Sequence, residues 1–329
     1  MSLSKKLSTY EHESLYSAAN SAIWHSHQHA ICKASCKARE EDFVATFVTN
    51  CVPWITDLWI PILQPKGIQL KISGVFCHGH PQVRFNSHKF RVELADLLVV
   101  HQHAANKRST SRAILIQAKM SADGTHVLPK SDKQLQLFTD WPQFEFVTGG
   151  LAPGMRDIKE KKGKASRYAL VLDKHAYPEE IIWADQCPWG TCPARQELSA
   201  ERSMAKLLGD MLLGKDGRVF QLGVPKDDWS RTIQELLQIT GKRTYKRSNI
   251  GRGDTLRSVS AGIMFLATSP SFATANTRTS NRSISMRYFG AVPMQGADSG
   301  DRDIFRQEND ELPEGGISTL IIETNEVEQ

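Results

Sequence analysis

The runs RVELADLLVV (Arg91–Val100) and AILIQAKM (Ala113–Met120) have the length and apolar content of core strands, yet both carry polar groups. Alternate residues of a strand share a face, so Gln117 and Lys119 project together while Ile116 and Ala118 project into the opposite layer. A lysine at the end of an apolar run is costly to bury without a partner. Asp96, heading the run LLVVH, supplies one if the two strands lie side by side. The plain reading is an ion pair that closes the end of a sheet. The sharper reading is a catalytic pair, because charges forced into such places also mark active sites.

The polar connector QHAANKRSTSR makes the two runs a hairpin, and the strand signals continue on its amino-terminal side with Gly67–Phe76 and Pro81–Phe85. Before them, a helix starts at Arg39 with Phe43, Val44, Phe47 and Val48 on one apolar face. Pro53 is expected to limit that helix, and Trp54, Trp59 and Pro61 mark a second short apolar segment. After Met120 a loop leads to a helix beginning near Asp132. Ser166–Asp173 reads as a further core strand, and Ala200–Gly214 and Asp227–Gly241 as amphipathic helices ending at glycine. Ser260–Ser269 is one more apolar segment. The region from Pro270 to Pro313 is rich in Ser, Thr, Asn, Gly and Asp and reads as a long loop. The closing stretch GISTLIIETNE is expected to form a short strand that docks back on the body.

These segments divide the chain into a polar amino-terminal stretch (1–38), a core (39–175), a helical and mixed extension (176–269) and a low-complexity loop with a terminal strand (270–329). No run approaches the ~18 apolar residues of a membrane span. The first residues, MSLSKKLSTYEHESLY, lack the apolar stretch of a secretory signal. The six cysteines therefore read as reduced thiols of a cytoplasmic protein rather than as a disulfide framework.

An apolar strand headed by Asp, an apolar strand ending in acid-or-Gln, X, Lys, and a glutamate-bearing helix before them together resemble the PD-(D/E)XK nuclease superfamily. Here the matching residues are Asp96 and Gln117-Ala118-Lys119, a QxK variant, with Glu93 three residues before the aspartate. The resemblance spans roughly Arg39 to Phe146. It implies an α/β fold with a restriction-endonuclease-like mixed central sheet flanked by helices, followed by a carboxy-terminal extension. It also implies that a helix glutamate, Glu41 or its neighbour Glu40, completes the site, and that Gln134 joins it from the helix after the lysine strand.

The implied activity is Mg²⁺-dependent hydrolysis of phosphodiester bonds, with Mn²⁺ able to substitute. Asp96 is then the main metal ligand, assisted by Gln117 and the Ala118 carbonyl, since such cations take oxygen donors. Lys119 positions the attacking water and offsets charge on the phosphate. Gln117 is the departure from the commoner acid, and it removes one negative charge from the metal's surroundings. The expected substrate is DNA, in a prokaryotic defence or restriction role, with protein partners for recognition or activation and self-association left open. The alternative is a nuclease-fold subunit without catalysis that binds nucleic acid or serves a structural role.

Two further stretches bear on binding. KRTYKRSNIGRGDTLR carries Lys242, Arg243, Lys246, Arg247, Arg252 and Arg257 against the single acid Asp254, a pattern suited to phosphates. HSHQHAICKASC places His25, His29, Cys32 and Cys36 at helical spacings. One helix cannot surround a zinc ion tetrahedrally, and nothing in the sequence brings CPWGTC (Cys187–Cys192) to it, so zinc is not expected. Loop histidines His78 and His80 and the tryptophans are read as incidental and as core anchors respectively.

Overall fold

The computed structural model describes residues 3–34, 37–77, 81–85, 91–105, 108–148, 150–160, 163–174, 184–242, 244–246, 262–268, 283–289 and 316–326, with 244–246 and 262–268 as backbone only. Three helices come first: α1 (Thr9–Lys33), α2 (Glu40–Thr49) and α3 (Cys51–Leu63). The strands and helices that follow are β1 (Ile68–Phe76), β2 (Gln82–Phe85), β3 (Val92–Glu93), β4 (Leu97–Ala105), β5 (Arg108–Ser121), β6 (Thr125–Val127), α4 (Lys133–Asp140), β7 (Phe144–Phe146) and β8 (Ser166–Leu172). The remainder comprises β9 (Trp189–Cys192), β10 (Glu197–Ser199), β11 (Arg202–Ser203), α5 (Met204–Leu212), β12 (Arg218–Phe220), α6 (Asp228–Lys242), β13 (Thr244–Lys246), β14 (Gly262–Thr268), α7 (Ile284–Phe289) and β15 (Ser318–Glu326).

A mixed sheet runs in the order β11-β9-β8-β5-β4-β15-β1-β14-β13, with β12 also paired to β5. Antiparallel β4–β5 is the expected hairpin, while β5–β8 and β15–β4 are parallel. Side-chain alternation builds two cores. Ile114, Ile116 and Ala118 of β5 face one layer with α1, α2, α3 and α5, whereas Ala113 and Leu115 face the other with α4, α6 and α7. The fold is thus mixed α/β, a central sheet between two helical layers. Among the described residues no single helix is long and apolar enough to cross a membrane.

Several expectations change. The closing segment is no peripheral extension. β15 lies in the middle of the sheet between β1 and β4, so residues 39–175 cannot complete the core by themselves. The amino-terminal stretch forms the 25-residue helix α1, capped by a Ser8–Glu11 capping box. Its buried side includes Leu15, Ala19, Ala22, Ile23 and Ala30, a face mostly too small to register as an apolar stripe. Pro53 does not end α2. The break comes at Asn50, and Pro53 sits in the first turn of α3, where a missing amide hydrogen leaves no helical bond unmade. β2 belongs to a separate three-stranded sheet with β3 and β7.

Two glycines mark close approaches. At Gly74 of β1 a Cβ would lie 1.6 Å from the Val48 carbonyl oxygen, so α2 can rest on the sheet only because this residue lacks a side chain. Gly241 does not end α6 as a left-handed cap. A Cβ there would lie 2.0 Å from the Tyr288 carbonyl oxygen, and the residue serves the contact between α6 and α7.

Candidate active site

The β4–β5 ladder ends at Leu97↔Ile116, extended by the Asp96 amide donating to the Ile116 carbonyl at 3.0 Å. Before Asp96 the chain turns away, with the Leu94 amide bonded to the Pro81 carbonyl. On its other side β5 stays paired to β8 as far as Ser121↔Leu172. The last residues of β5 therefore keep one edge paired and leave the other open. An open edge of buried amides must find acceptors elsewhere.

The acceptors are carboxylates. Asp96 Oδ2 accepts from the Ala118 amide at 2.7 Å, and Glu40 Oε1 accepts from the Met120 amide at 3.0 Å. The Met120 carbonyl accepts from His126 Nδ1 at 3.2 Å, since a carbonyl cannot donate. A strand turns the N–H and C=O of one residue to the same side, so the Ala118 carbonyl also faces this edge. Asp96 is only 7% exposed, which makes the amide it satisfies a structural requirement and not an incidental contact.

Lys119 is half-buried, and its ammonium pairs with Glu40 Oε2 at 3.6 Å. This replaces the direct Lys119–Asp96 ion pair that the sequence implies. The helix carboxylate at the strand is Glu40, because the first residue of α2 comes nearest to the end of β5. Glu41, one position on, pairs with Arg39 at 3.2 Å. Glu93 is exposed on β3, and its contribution is its backbone carbonyl.

That carbonyl fixes an amide relay. Gln134, near the start of α4, donates Nε2 to the Glu93 carbonyl at 3.1 Å, which sets the orientation of its amide. The same nitrogen donates to Gln117 Oε1. Gln117 therefore turns its oxygen to Gln134 and its NH₂ group elsewhere. Asp132 caps α4 by accepting from the Leu135 amide at 2.8 Å, which holds Gln134 in place. Beside Gln117 in the sheet register stands Tyr168 of β8, whose buried hydroxyl has no hydrogen-bond partner among the described residues. Burial, with Asp132, Cys192 and Asp96 adding to it, pushes this phenol up, so it stays protonated at neutral pH.

The oxygen donors at the edge are the Asp96 and Glu40 carboxylates and the Ala118 carbonyl, the hard set that Mg²⁺ or Mn²⁺ takes. Among the described residues no three His, Cys, Asp or Glu side chains are grouped closely enough to hold an ion between them. A cation here would keep several of its waters. Gln117→Glu tests this balance. One carboxylate oxygen would still accept from Gln134 while the other adds charge to the edge, so the Mg²⁺ concentration for half-saturation, measured by calorimetry, should fall several-fold. An unchanged value would mean that the metal, if bound, sits away from β5.

His126 is the residue the sequence did not disclose. It lies on β6 past a tight Ala122–Gly124 turn, and its bond from Nδ1 leaves Nε2 as the proton acceptor in the neutral ring. The only sequence signal was the Asp123-Gly124 turn that folds the chain back along the lysine strand.

Other candidates separate. Cys187 packs in the core beneath α1–α3 and Cys192 in the core on the opposite face, so CPWGTC cannot close on one zinc ion. Burial pushes the Cys187 thiol up to about 12, and His25 stacks on Trp54. Cys36, His78 and His80 lie outside the described residues, as do Arg243, Arg247, Arg252 and Arg257 of the basic stretch. Lys246 is described by its backbone only, and Lys242 is exposed at the end of α6. No protein-family model, no curated protein and no solved structure matches this chain.

Proposed function

We propose that the chain is a metal-dependent nuclease with a PD-(D/E)XK, restriction-endonuclease-like core that hydrolyses phosphodiester bonds, with DNA as its substrate. The single observation that supports this reading is the convergence at the open edge of β5. Asp96, Lys119, the Ala118 carbonyl and a helix glutamate meet there, with Gln134 bonded to Gln117 beside them. An ion pair closing a sheet needs only Lys119 and Glu40; it does not need Asp96, the Ala118 carbonyl or the Gln134–Gln117 pair beside them. The resemblance implies a defence or restriction role.

When bound, Mg²⁺ or Mn²⁺ supplies an activated water and neutralises charge in an in-line displacement at phosphorus. Asp96, Glu40 and the Ala118 carbonyl are the groups that would hold it. Lys119 brings a positive charge beside the phosphate oxygens, where charge builds in the transition state. Glu40 holds the lysine's flexible stem in one direction, which lowers the entropy lost on reaching that geometry. Gln134 and Gln117 keep the strand end and α4 in register, and the Gln117 NH₂ group is a donor for a phosphate oxygen or water.

The second reading is a nucleic-acid-binding subunit that does not cut. The glutamine in place of an acid and the sparse carboxylate grouping favour it. Incubating the chain with duplex DNA, single-stranded DNA and RNA in Mg²⁺, Mn²⁺ and chelator separates the two. Metal-dependent product on any of these supports the nuclease. Tight binding with intact substrate under every metal condition supports the binder.

A further inference from the structure

On the face of the sheet that carries Gln117 and Lys119, α6 and α7 enclose a cleft of about 550 Å³. Its cationic lining is Arg231, Lys242 and Arg287, with Tyr288 and Gln238 between them. The one carboxylate in the wall, Glu235, is already held by the fully buried Arg156 at 2.9 Å and by Arg231 at 3.0 Å. Lys242 and Arg287 are exposed and have no ion-pair partner among the described residues. The cleft is thus a cationic surface whose only acid is spent internally.

We propose that this cleft binds the phosphate backbone of duplex DNA, so that α6 and α7 form a second contact surface for the substrate of the β5 site. The assignment rests on the nuclease reading for the identity of the duplex. Three features favour a polyanion with regular charge spacing. Arg231 and Lys242 stand eleven residues apart on one stripe of α6, about 16 Å. Along a duplex that distance takes in roughly five phosphates of one strand. In the sequence, Lys242 is also the first residue of the basic stretch KRTYKRSNIGRGDTLR. Finally, α7 is anchored to Gln102 of β4, opposite Ser111 of β5, by the Ile284 amide at 3.1 Å. From Ser111 to Gln117 is about 20 Å along the strand, or roughly six base pairs.

The test uses the full chain in chelator, where nothing is cut, and a 20-base-pair duplex. Wild-type protein is compared with the triple variant Arg231→Gln, Lys242→Gln, Arg287→Gln, after melting curves show both folded. Loss of three phosphate contacts should lower affinity on the order of 100-fold near 0.1 M salt and flatten the log–log salt dependence by about 2.7. An unchanged slope overturns the proposal, as does a wild-type chain that fails to bind the duplex at low salt. Displacement of the duplex by poly-glutamate at equal charge concentration, as readily as by other DNA, also overturns it and points to an acidic protein partner. Cleavage with an unchanged slope removes the groove and leaves the nuclease. A groove-dependent slope without cleavage under any metal condition does the reverse.

Discussion

Asp96→Asn and Lys119→Met should each lower metal-dependent cleavage on the order of 10³-fold, the size of effect seen when one transition-state charge stabiliser is removed. Both substitutions are chosen to spare the fold. Asn at 96 keeps an oxygen that can accept from the Ala118 amide, so the buried amide remains satisfied while the negative charge is lost. Met at 119 keeps the apolar stem and removes the ammonium. The Lys119–Glu40 pair it breaks is partly exposed on both sides, so stability should change by no more than about 1 kcal/mol. Single-turnover rates at saturating metal, read beside melting curves, make the comparison. A folded Asp96→Asn protein that cuts at the wild-type rate would remove the assignment, and Lys119→Arg should rescue poorly, because a planar fork does not replace a compact ammonium. Glu40→Gln should also reduce the rate, since it would remove one of the two carboxylates at the edge together with the charge that pairs with Lys119.

The sequence made the pair on β4 and β5 legible because a two-residue period is rigid. Once Leu115 and Ile116 are assigned opposite faces, the directions of Gln117 and Lys119 follow. Gln134 was named through the resemblance, and the helix start expected near Asp132 is where α4 begins. The choice between Glu40 and Glu41 was not legible, because it depends on where the helix starts against the end of β5, a tertiary fact. His126 was hidden similarly: its partner is a backbone carbonyl on another strand, and no side-chain pattern records that. The placement of β15 is the largest gap. A nine-residue strand with one short apolar run, Leu320–Ile322, looks the same whether it pairs at an edge or inserts between β1 and β4. Only the sum of pairings decides it. Helix α1 escaped because alanines bury a close-packed face without raising its hydrophobicity.

The consequence of that central strand is best tested at Glu323. Glu323 of β15 stands between Lys71 of β1 and Gln102 of β4 in the register, forming a polar row across an otherwise apolar face. Its carboxylate lies 3.8 Å from the Lys71 ammonium, and both residues are under 5% exposed. It also accepts from Ser283 Oγ at 2.7 Å and from the Ser285 hydroxyl, which ties the start of α7 to the sheet. Glu323→Gln keeps an acceptor for the serines and removes one charge that faces Lys71. Leaving one member of a buried pair charged typically costs about 3–5 kcal/mol, which for a chain of this size corresponds to a fall in melting temperature of roughly 5–15 °C. Adding Lys71→Met should recover most of that loss, because no buried ammonium is then left facing a neutral partner. The double variant must be less destabilised than the single one. A Glu323→Gln protein within 1 kcal/mol of wild type would mean that the row is wet and that α7 is held by its apolar contacts, Ile284 and Phe289, alone. Cleavage measured well below the transition should be little changed in either variant, since the row lies about 20 Å from Gln117 along the strands. Duplex affinity should weaken in the single variant, because Arg287 and Tyr288 ride on the helix that Glu323 anchors.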